Sequence, residues 1–208
     1  LYQGNYILKE IGTNSNYILD ETPFDITVEY DKTTTKEITN ERKKGNLKVY
    51  KVDKDNHKIL LGNVTFDLFS NEFDRIIGTY TTDVNGEIFI ENLRVGNYRL
   101  IERNTGKWYN LAQDLEITIA GNDTTEITVE NELRKGQIRV IKVDADNNEI
   151  KLSGVEFEVL DENDNVLEKL VTDSNGEVLT NRYAIRDFSK LKLREVKTLD
   201  TYELSTEV

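Results

Sequence analysis

The sequence predicts an all-β protein, built as tandem β-sandwich domains arranged as a rod. Three observations carry that expectation. Apolar and polar residues alternate with period two, as in Val64-Thr65-Phe66-Asp67-Leu68-Phe69 and Val155-Glu156-Phe157-Glu158-Val159-Leu160, the pattern of half-buried strands. Asp-x-Asn-Gly turns, Asp83-Val84-Asn85-Gly86 and Asp173-Ser174-Asn175-Gly176, mark hairpin connections because Asn-Gly tolerates positive φ. Finally, the same neighbours return about every ninety residues, a period long enough for each repeat to hold its own core. Gly45-Asn46-Leu47-Lys48-Val49-Tyr50-Lys51-Val52-Asp53 returns as Gly136-Gln137-Ile138-Arg139-Val140-Ile141-Lys142-Val143-Asp144.

Taken in order, residues 1–44 read as the C-terminal part of a first repeat. Alternate side chains of a strand share a face, which groups Tyr6, Leu8 and Glu10, and separately Ile38 and Asn40. Residues 45–135 form a complete repeat. It opens with Leu47, Val49 and Lys51 on one face, continues through Tyr98, Leu100 and Glu102, and closes with Ile127, Val129 and Asn131. Residues 136–208 read as a third repeat lacking its last strand, with Ile138, Val140 and Lys142 on its first strand and Leu191, Leu193 and Glu195 on a later one. One short helix is admitted, around Phe73 or in Tyr183–Lys190. The connections Glu41-Arg42-Lys43-Lys44 and Glu132-Leu133-Arg134-Lys135 are short and charged. Flexible linkers are longer and poorer in charge, hence the expectation of a stiff rod.

The length suits roughly two domains of about 100 residues. Methionine is absent even at the start, as expected for a fragment from inside a longer polypeptide. Acidic side chains number 39 against 27 basic ones, a net charge of −12, which argues against a nucleic-acid partner. No apolar run approaches the roughly 20 residues of a membrane span. Without cysteine, neither disulfides nor thiolate metal sites are available. His57 is the only histidine and lies in a turn, so a Ser-His-Asp triad has no other base to use. The acidic stretches Asp53-Lys54-Asp55-Asn56 and Asp144-Ala145-Asp146-Asn147-Asn148-Glu149 resemble calcium loops, but their glycine and closing glutamate are missing. They read as solvated hairpin turns. Trp108 is expected to pack in a core or between domains. No cofactor and no metal are expected.

Three polar groups of the complete repeat, Lys51, Glu102 and Asn131, share the apolar phase of their strands. A lone buried Lys or Glu is costly unless paired, so these three are expected to meet. Burial favours the uncharged forms, a neutral amine beside a protonated carboxyl. A neutral amine held against a carboxamide, with a carboxyl to polarise the carbonyl and move the proton, has the parts for transamidation. The amine attacks the Asn side-chain carbon, ammonia leaves, and an Nε–Cγ isopeptide bond joins first strand to last. This is a single-turnover self-modification and not enzyme catalysis. The alternative is an unreacted polar cluster that only specifies the core. Glu10, Asn40, Lys142 and Glu195 are partial equivalents in the flanking repeats. The first repeat lacks its Lys and the third its Asn, so only Lys51 and Asn131 can close a bond within a repeat.

The chain also resembles the Cna B-type domains of Gram-positive surface adhesins and pilins. The resemblance rests on the Lys51-Val52-Asp53 strand, Leu61-Gly62-Asn63-Val64-Thr65-Phe66, Thr82-Asp83-Val84-Asn85-Gly86, Asn92-Leu93-Arg94-Val95-Gly96-Asn97-Tyr98-Arg99-Leu100-Ile101-Glu102 and Val129-Glu130-Asn131. Order and spacing carry it; no single motif does. It spans the middle repeat and most of the other two. It implies a prealbumin-like, broadly Ig-like sandwich, with Lys51 as nucleophile, Asn131 as electrophile and Glu102 as proton shuttle. The chain departs from the family pattern at Gly106-Lys107-Trp108-Tyr109, where a Pro is usual, and at Tyr183-Ala184-Ile185-Arg186-Asp187-Phe188, which replaces a Gly-x-Tyr stretch.

These readings converge on stalk or spacer repeats of a cell-wall-anchored, extracellular Gram-positive adhesin or pilin. The partners expected are neighbouring repeats of the same polypeptide, with host extracellular matrix engaged through another domain. Two other classes remain open at this stage. The repeats themselves bind a host matrix ligand, or they form a β-sandwich appendage of a secreted enzyme.

Overall fold

The computed structural model describes residues 1–188 and 190–205, and every regular element among them is a strand. The chain divides into two compact units, Leu1–Gly106 with Leu111–Asn131, and Lys107–Asn110 with Glu132–Val208. Among the described residues no helix is long and apolar enough to cross a membrane.

The first unit begins with an antiparallel pair, β1 (Gly4–Leu8) and β2 (Phe24–Val28). A sandwich follows. β3 (Lys44–Asp53) is the centre of a three-stranded sheet, flanked by β6 (Glu87–Arg94) and β9 (Thr124–Asn131). The facing sheet runs β5 (Arg75–Thr81), β4 (Thr65–Ser70), β7 (Gly96–Asn104), β8 (Leu115–Ile119). All pairings are antiparallel except β3 with β9, which run parallel from Asn46↔Thr124 to Asp53↔Asn131. Leu47, Val49, Ile88, Ile90 and Val129 from one sheet share a core with Phe66, Leu68, Tyr98, Leu100, Ile117 and Ile119 from the other. The period-two reading of β3 is thereby met, since Leu47, Val49 and Lys51 are all fully buried.

In the second unit β10 (Lys135–Gly136) pairs with β15 (Tyr183–Ala184), and β11 (Arg139–Ile141) with β14 (Glu177–Leu179). A three-stranded sheet has β12 (Glu156–Leu160) between β13 (Val166–Val171) and β16 (Lys192–Lys197). Leu152, Val155, Phe157, Val159 and Leu170 form its buried core.

The expected short helix is present at neither place among the described residues. Phe73 lies in the turn joining β4 to β5, where Asp74 takes φ +49°. Residues 185–187 form a turn after β15, and Ser189 lies outside the described residues. At the first place only residues 71–74 lie between β4 and β5, too little to nucleate a helix.

The two Asp-x-Asn-Gly turns do not close hairpins as expected: Asp83–Gly86 leads from β5 in one sheet to β6 in the other, and Asp173–Gly176 from β13 to β14, which pair with different strands. Asp83 Oδ1 accepts the N–H groups of Asn85 and Glu87, and Gly86 takes φ +71°. The Gly86 carbonyl then accepts the Lys51 N–H at 2.8 Å. Gly176, at φ +70°, meets Lys142 in the same way, also at 2.8 Å. Each turn thus fixes the backbone of the inward-facing lysine. A Cβ at Gly86 would stand 2.6 Å from the Lys51 carbonyl oxygen, at a φ unfavourable to side chains. Gly86→Ala is expected to cost about 1–3 kcal/mol. A lowered thermal unfolding midpoint checks it, and an unchanged midpoint contradicts it.

Candidate functional site

Lys51 sits on the central strand β3, covered on one edge by β6 and on the other by β9, and is 0% exposed. Its Nζ donates to the carbonyl of Val129, its register partner in β9, at 3.0 Å. Glu102 Oε1 lies 3.8 Å from the same nitrogen. Burial pushes the Lys51 amine down to about 8, and the nearby Glu102, Glu130 and Asp53 carboxylates keep it from falling further.

Glu102 comes from β7, opposite Phe66 of β4, at a point where the register shifts. Such a bulge re-aims a side chain, and Glu102 is aimed into the core with only 5% exposure. Its Oε2 accepts the Ala112 N–H at 2.5 Å. Asn131, the last residue of β9, is 1% exposed. Its Nδ2 donates to both Glu102 oxygens at 3.1 Å and to the Thr105 hydroxyl. Its Oδ1 is buried without a hydrogen-bond partner. The three residues singled out by strand phase therefore meet. Reasoning from the sequence did not find the Thr105 hydroxyl, the Ala112 N–H or the Val129 carbonyl.

The partial equivalents also come together. Asn40 Nδ2 donates to Glu10 Oε1 at 2.9 Å and Oε2 at 2.8 Å, and to the Ile18 carbonyl at 3.0 Å. Glu10 accepts the Asp20 N–H, as Glu102 accepts that of Ala112. In the second unit Lys142 Nζ donates to Glu195 Oε2 at 2.9 Å. Glu195 is buried opposite Phe157, again at a register shift.

The remaining candidates have structural uses. Asp53 Oδ1 caps the N–H groups of Asp55 and Asn56, and Asp144 Oδ1 those of Asp146 and Asn147. These carboxylates stabilise turns. His57 lies at the surface, its Nε2 2.7 Å from Glu130 Oε1. Trp108 is half-buried, with Lys107 Nζ 4.1 Å from its ring centroid.

The chain matches a family model, the SpaA prealbumin-like fold domain, over residues 1–42, 45–133 and 136–208. No curated protein matches it. Among solved structures it is similar to the Bacillus anthracis TIE protein, at 25% identity and a TM-score of 0.61, covering 100% of this chain and 39% of that one. A streptococcal ancillary pilin is 23% identical with a TM-score of 0.40, covering 100% of this chain and 70% of that one. The minor pilin GBS52 of Streptococcus agalactiae is 25% identical with a TM-score of 0.41, covering 70% and 65%.

The buried amine gives a pH signature. Its folded value of about 8 lies below the ordinary 10.5, so folding disfavours the charged form. That penalty is fully present below about pH 8 and fades as pH rises toward about 10.5, so this group's contribution to stability increases across that window. In Asn131→Ala, which keeps the amine and removes the carboxamide, the Lys51 Nζ resonance is expected to titrate near 8 by NMR. A midpoint near 10.5 contradicts the burial argument.

Proposed function

This chain belongs to the SpaA family of prealbumin-like fold domains, and on that premise we propose that it supplies stalk repeats of a Gram-positive surface adhesin or pilin. The middle repeat, residues 45–135, is locked by an isopeptide bond between Lys51 and Asn131. One observation carries the proposal: Glu102 contacts both the Lys51 amine and the departing nitrogen of Asn131 inside a core that excludes water. A buried carboxylate bridging nucleophile and leaving group is placed to move a proton between them.

The step balances without any other reactant. The neutral Lys51 Nζ adds to Cγ of Asn131, forming the Nζ–Cγ bond. Glu102 takes one proton from Nζ and returns it to Nδ2, the Cγ–Nδ2 bond breaks, and ammonia leaves. At pH 7 an amine titrating near 8 is about one-tenth neutral, whereas an ordinary lysine has well under a hundredth of that fraction neutral. Burial thus raises the nucleophile's concentration, and fixed placement removes the entropy of bringing the groups together.

The location suits a mechanical role. Lys51 and Asn131 lie on neighbouring parallel strands, the first and last of their sandwich. A bond there carries tension past residues 52–130. It also closes a long loop in the unfolded chain, for which cross-link models assign roughly 4–5 kcal/mol. The proposed partners are the neighbouring repeats and the rest of the surface protein; the proposed location is the cell wall exterior.

Intact mass under denaturing conditions should fall about 17 Da below the sequence mass, one ammonia. Lys51→Ala, Asn131→Ala and Glu102→Ala should each restore the full mass. An unmodified wild-type mass contradicts the bond. Loss of the cross-link should lower the thermal midpoint on the order of 20 °C or more, from 4–5 kcal/mol over a domain of this size. Below about pH 8 the rate of bond formation should fall tenfold per pH unit, and should flatten above it.

A further inference from the structure

We propose that a threonine three residues after the glutamate is a fourth member of each site, holding the Asn carboxamide by its leaving nitrogen. Three observations support it. Glu10-Ile11-Gly12-Thr13, Glu102-Arg103-Asn104-Thr105 and Glu195-Val196-Lys197-Thr198 repeat the spacing in all three repeats while the intervening residues change completely. In both repeats that have an Asn, its Nδ2 donates to this hydroxyl: Asn131 to Thr105, and Asn40 to Thr13 at 3.3 Å. In the third repeat, no Asn reaches the site among the described residues. There Thr198 Oγ1 is buried without a partner, as is Glu195 Oε1. Of the three atoms that Asn131 meets in the middle repeat, the equivalents of two, a glutamate oxygen and the threonine hydroxyl, are left unsatisfied in the third, where Glu195 Oε2 instead accepts from Lys142.

The role follows from the hydrogens on Nδ2. A primary amide nitrogen has two, and an acceptor for each fixes the plane of the carboxamide. Glu102 takes one and Thr105 the other, so Cγ cannot turn its face away from the amine. A hydroxyl also accepts or donates by rotation. As the Cγ–Nδ2 bond lengthens, the nitrogen gains a lone pair, and the same hydroxyl can turn and donate to it. Glu102 still carries the proton. Thr105 positions the nitrogen it is delivered to. Thr105 is itself buried, at 8% exposure, so water cannot take its place.

This inference rests on the isopeptide reading, and the test separates the two. The full chain is made by cell-free synthesis, quenched in denaturant at intervals, and weighed intact. Thr105→Val and Thr105→Ala, which differ in bulk but both lack the hydroxyl, should lose ammonia at least about fivefold more slowly than wild type, the effect of one buried hydrogen bond. Thr105→Ser should stay within about twofold of wild type. Thr198→Val, whose hydroxyl has no carboxamide to hold, should not lower thermal stability; a merely structural threonine at this position would make it do so. Wild-type rates in Val and Ala, or slowing in Ser equal to theirs, overturn the threonine's role and leave the isopeptide bond standing. If wild type itself keeps its full mass, both readings fall. Should Thr105→Val not fold, the comparison of Ala with Ser decides alone.

Discussion

A lysine amine at zero exposure is the constraint on which the rest of the middle repeat depends. Left unpaired, a buried charge of this kind costs several kcal/mol, so everything around Lys51 is arranged to answer it. The Val129 carbonyl takes one hydrogen, Glu102 supplies an opposite charge, and the Gly86 turn fixes the backbone that presents the side chain. Hydrogen bonding and ion pairing alone leave the amine shifted down to about 8, so the desolvation cost is offset only in part. Converting the amine to an amide removes the ionisable group altogether. The proposed reaction therefore relieves the same burial that makes the amine nucleophilic, and loss of ammonia makes it irreversible.

The flanking repeats show what each member of the set contributes. Glu10 and Asn40 hold one another, with no lysine bonded to either among the described residues, and both remain only half-buried. Lys142 and Glu195 hold one another without an asparagine; Glu195 is buried while the Lys142 side chain keeps 24% exposure. Lys142 lies one residue past the short strand β11, which pairs only with β14 among the described residues, and Ile138 is 36% exposed where Leu47 has none. Full burial of the lysine thus goes with the parallel partner strand β9. That strand covers the edge of β3, supplies the carbonyl for Nζ and brings the carboxamide.

Much of this was legible because strand periodicity is strict. Lys51, Glu102 and Asn131 each continue an apolar face by steps of two, and a residue cannot leave that face without a change of register. The all-β class follows from the same pattern, whereas the hairpins expected at the Asn-Gly turns do not form, because Asn-Gly fixes a positive φ and not which sheet the next strand joins. What escaped was whatever depends on local irregularity or on the backbone. The bulge at Arg103, just after Glu102, decides its aim, and nothing in Glu102-Arg103-Asn104 announces it. The Ala112 N–H and the Val129 carbonyl belong to the main chain, which every residue shares. Thr105 was within reach, because Glu-x-x-Thr recurs in all three repeats. Threonine is so common on strands that its recurrence carries little signal until a carboxamide is seen on the hydroxyl. The short helix expected around Phe73 or in Tyr183–Lys190 is absent among the described residues; around Phe73 the tight β4–β5 turn leaves no room for one.

Parallel pairing of the first and last strands gives the proposed bond its mechanical sense. Tension applied at Lys44 and Asn131 pulls β3 and β9 past one another along their length. All the hydrogen bonds between them are then loaded together in shear, the resistant geometry for a strand pair, and the two sheets separate only after those bonds fail. Lys51 lies near the far end of β3 and Asn131 ends β9. With the bond in place, the load enters at Lys44, runs along β3 to Lys51, and leaves directly through Asn131. The core residues from Val64 to Ile119 are then never in the load path, and they need supply only enough stability to bring three side chains together once. A core of modest size suffices for that, and the chain contains no cysteine that could serve the same end. Placing the cross-link anywhere earlier on β9 would leave a terminal stretch of strand to peel before the covalent path engaged. The last residue of the last strand is the position that leaves none.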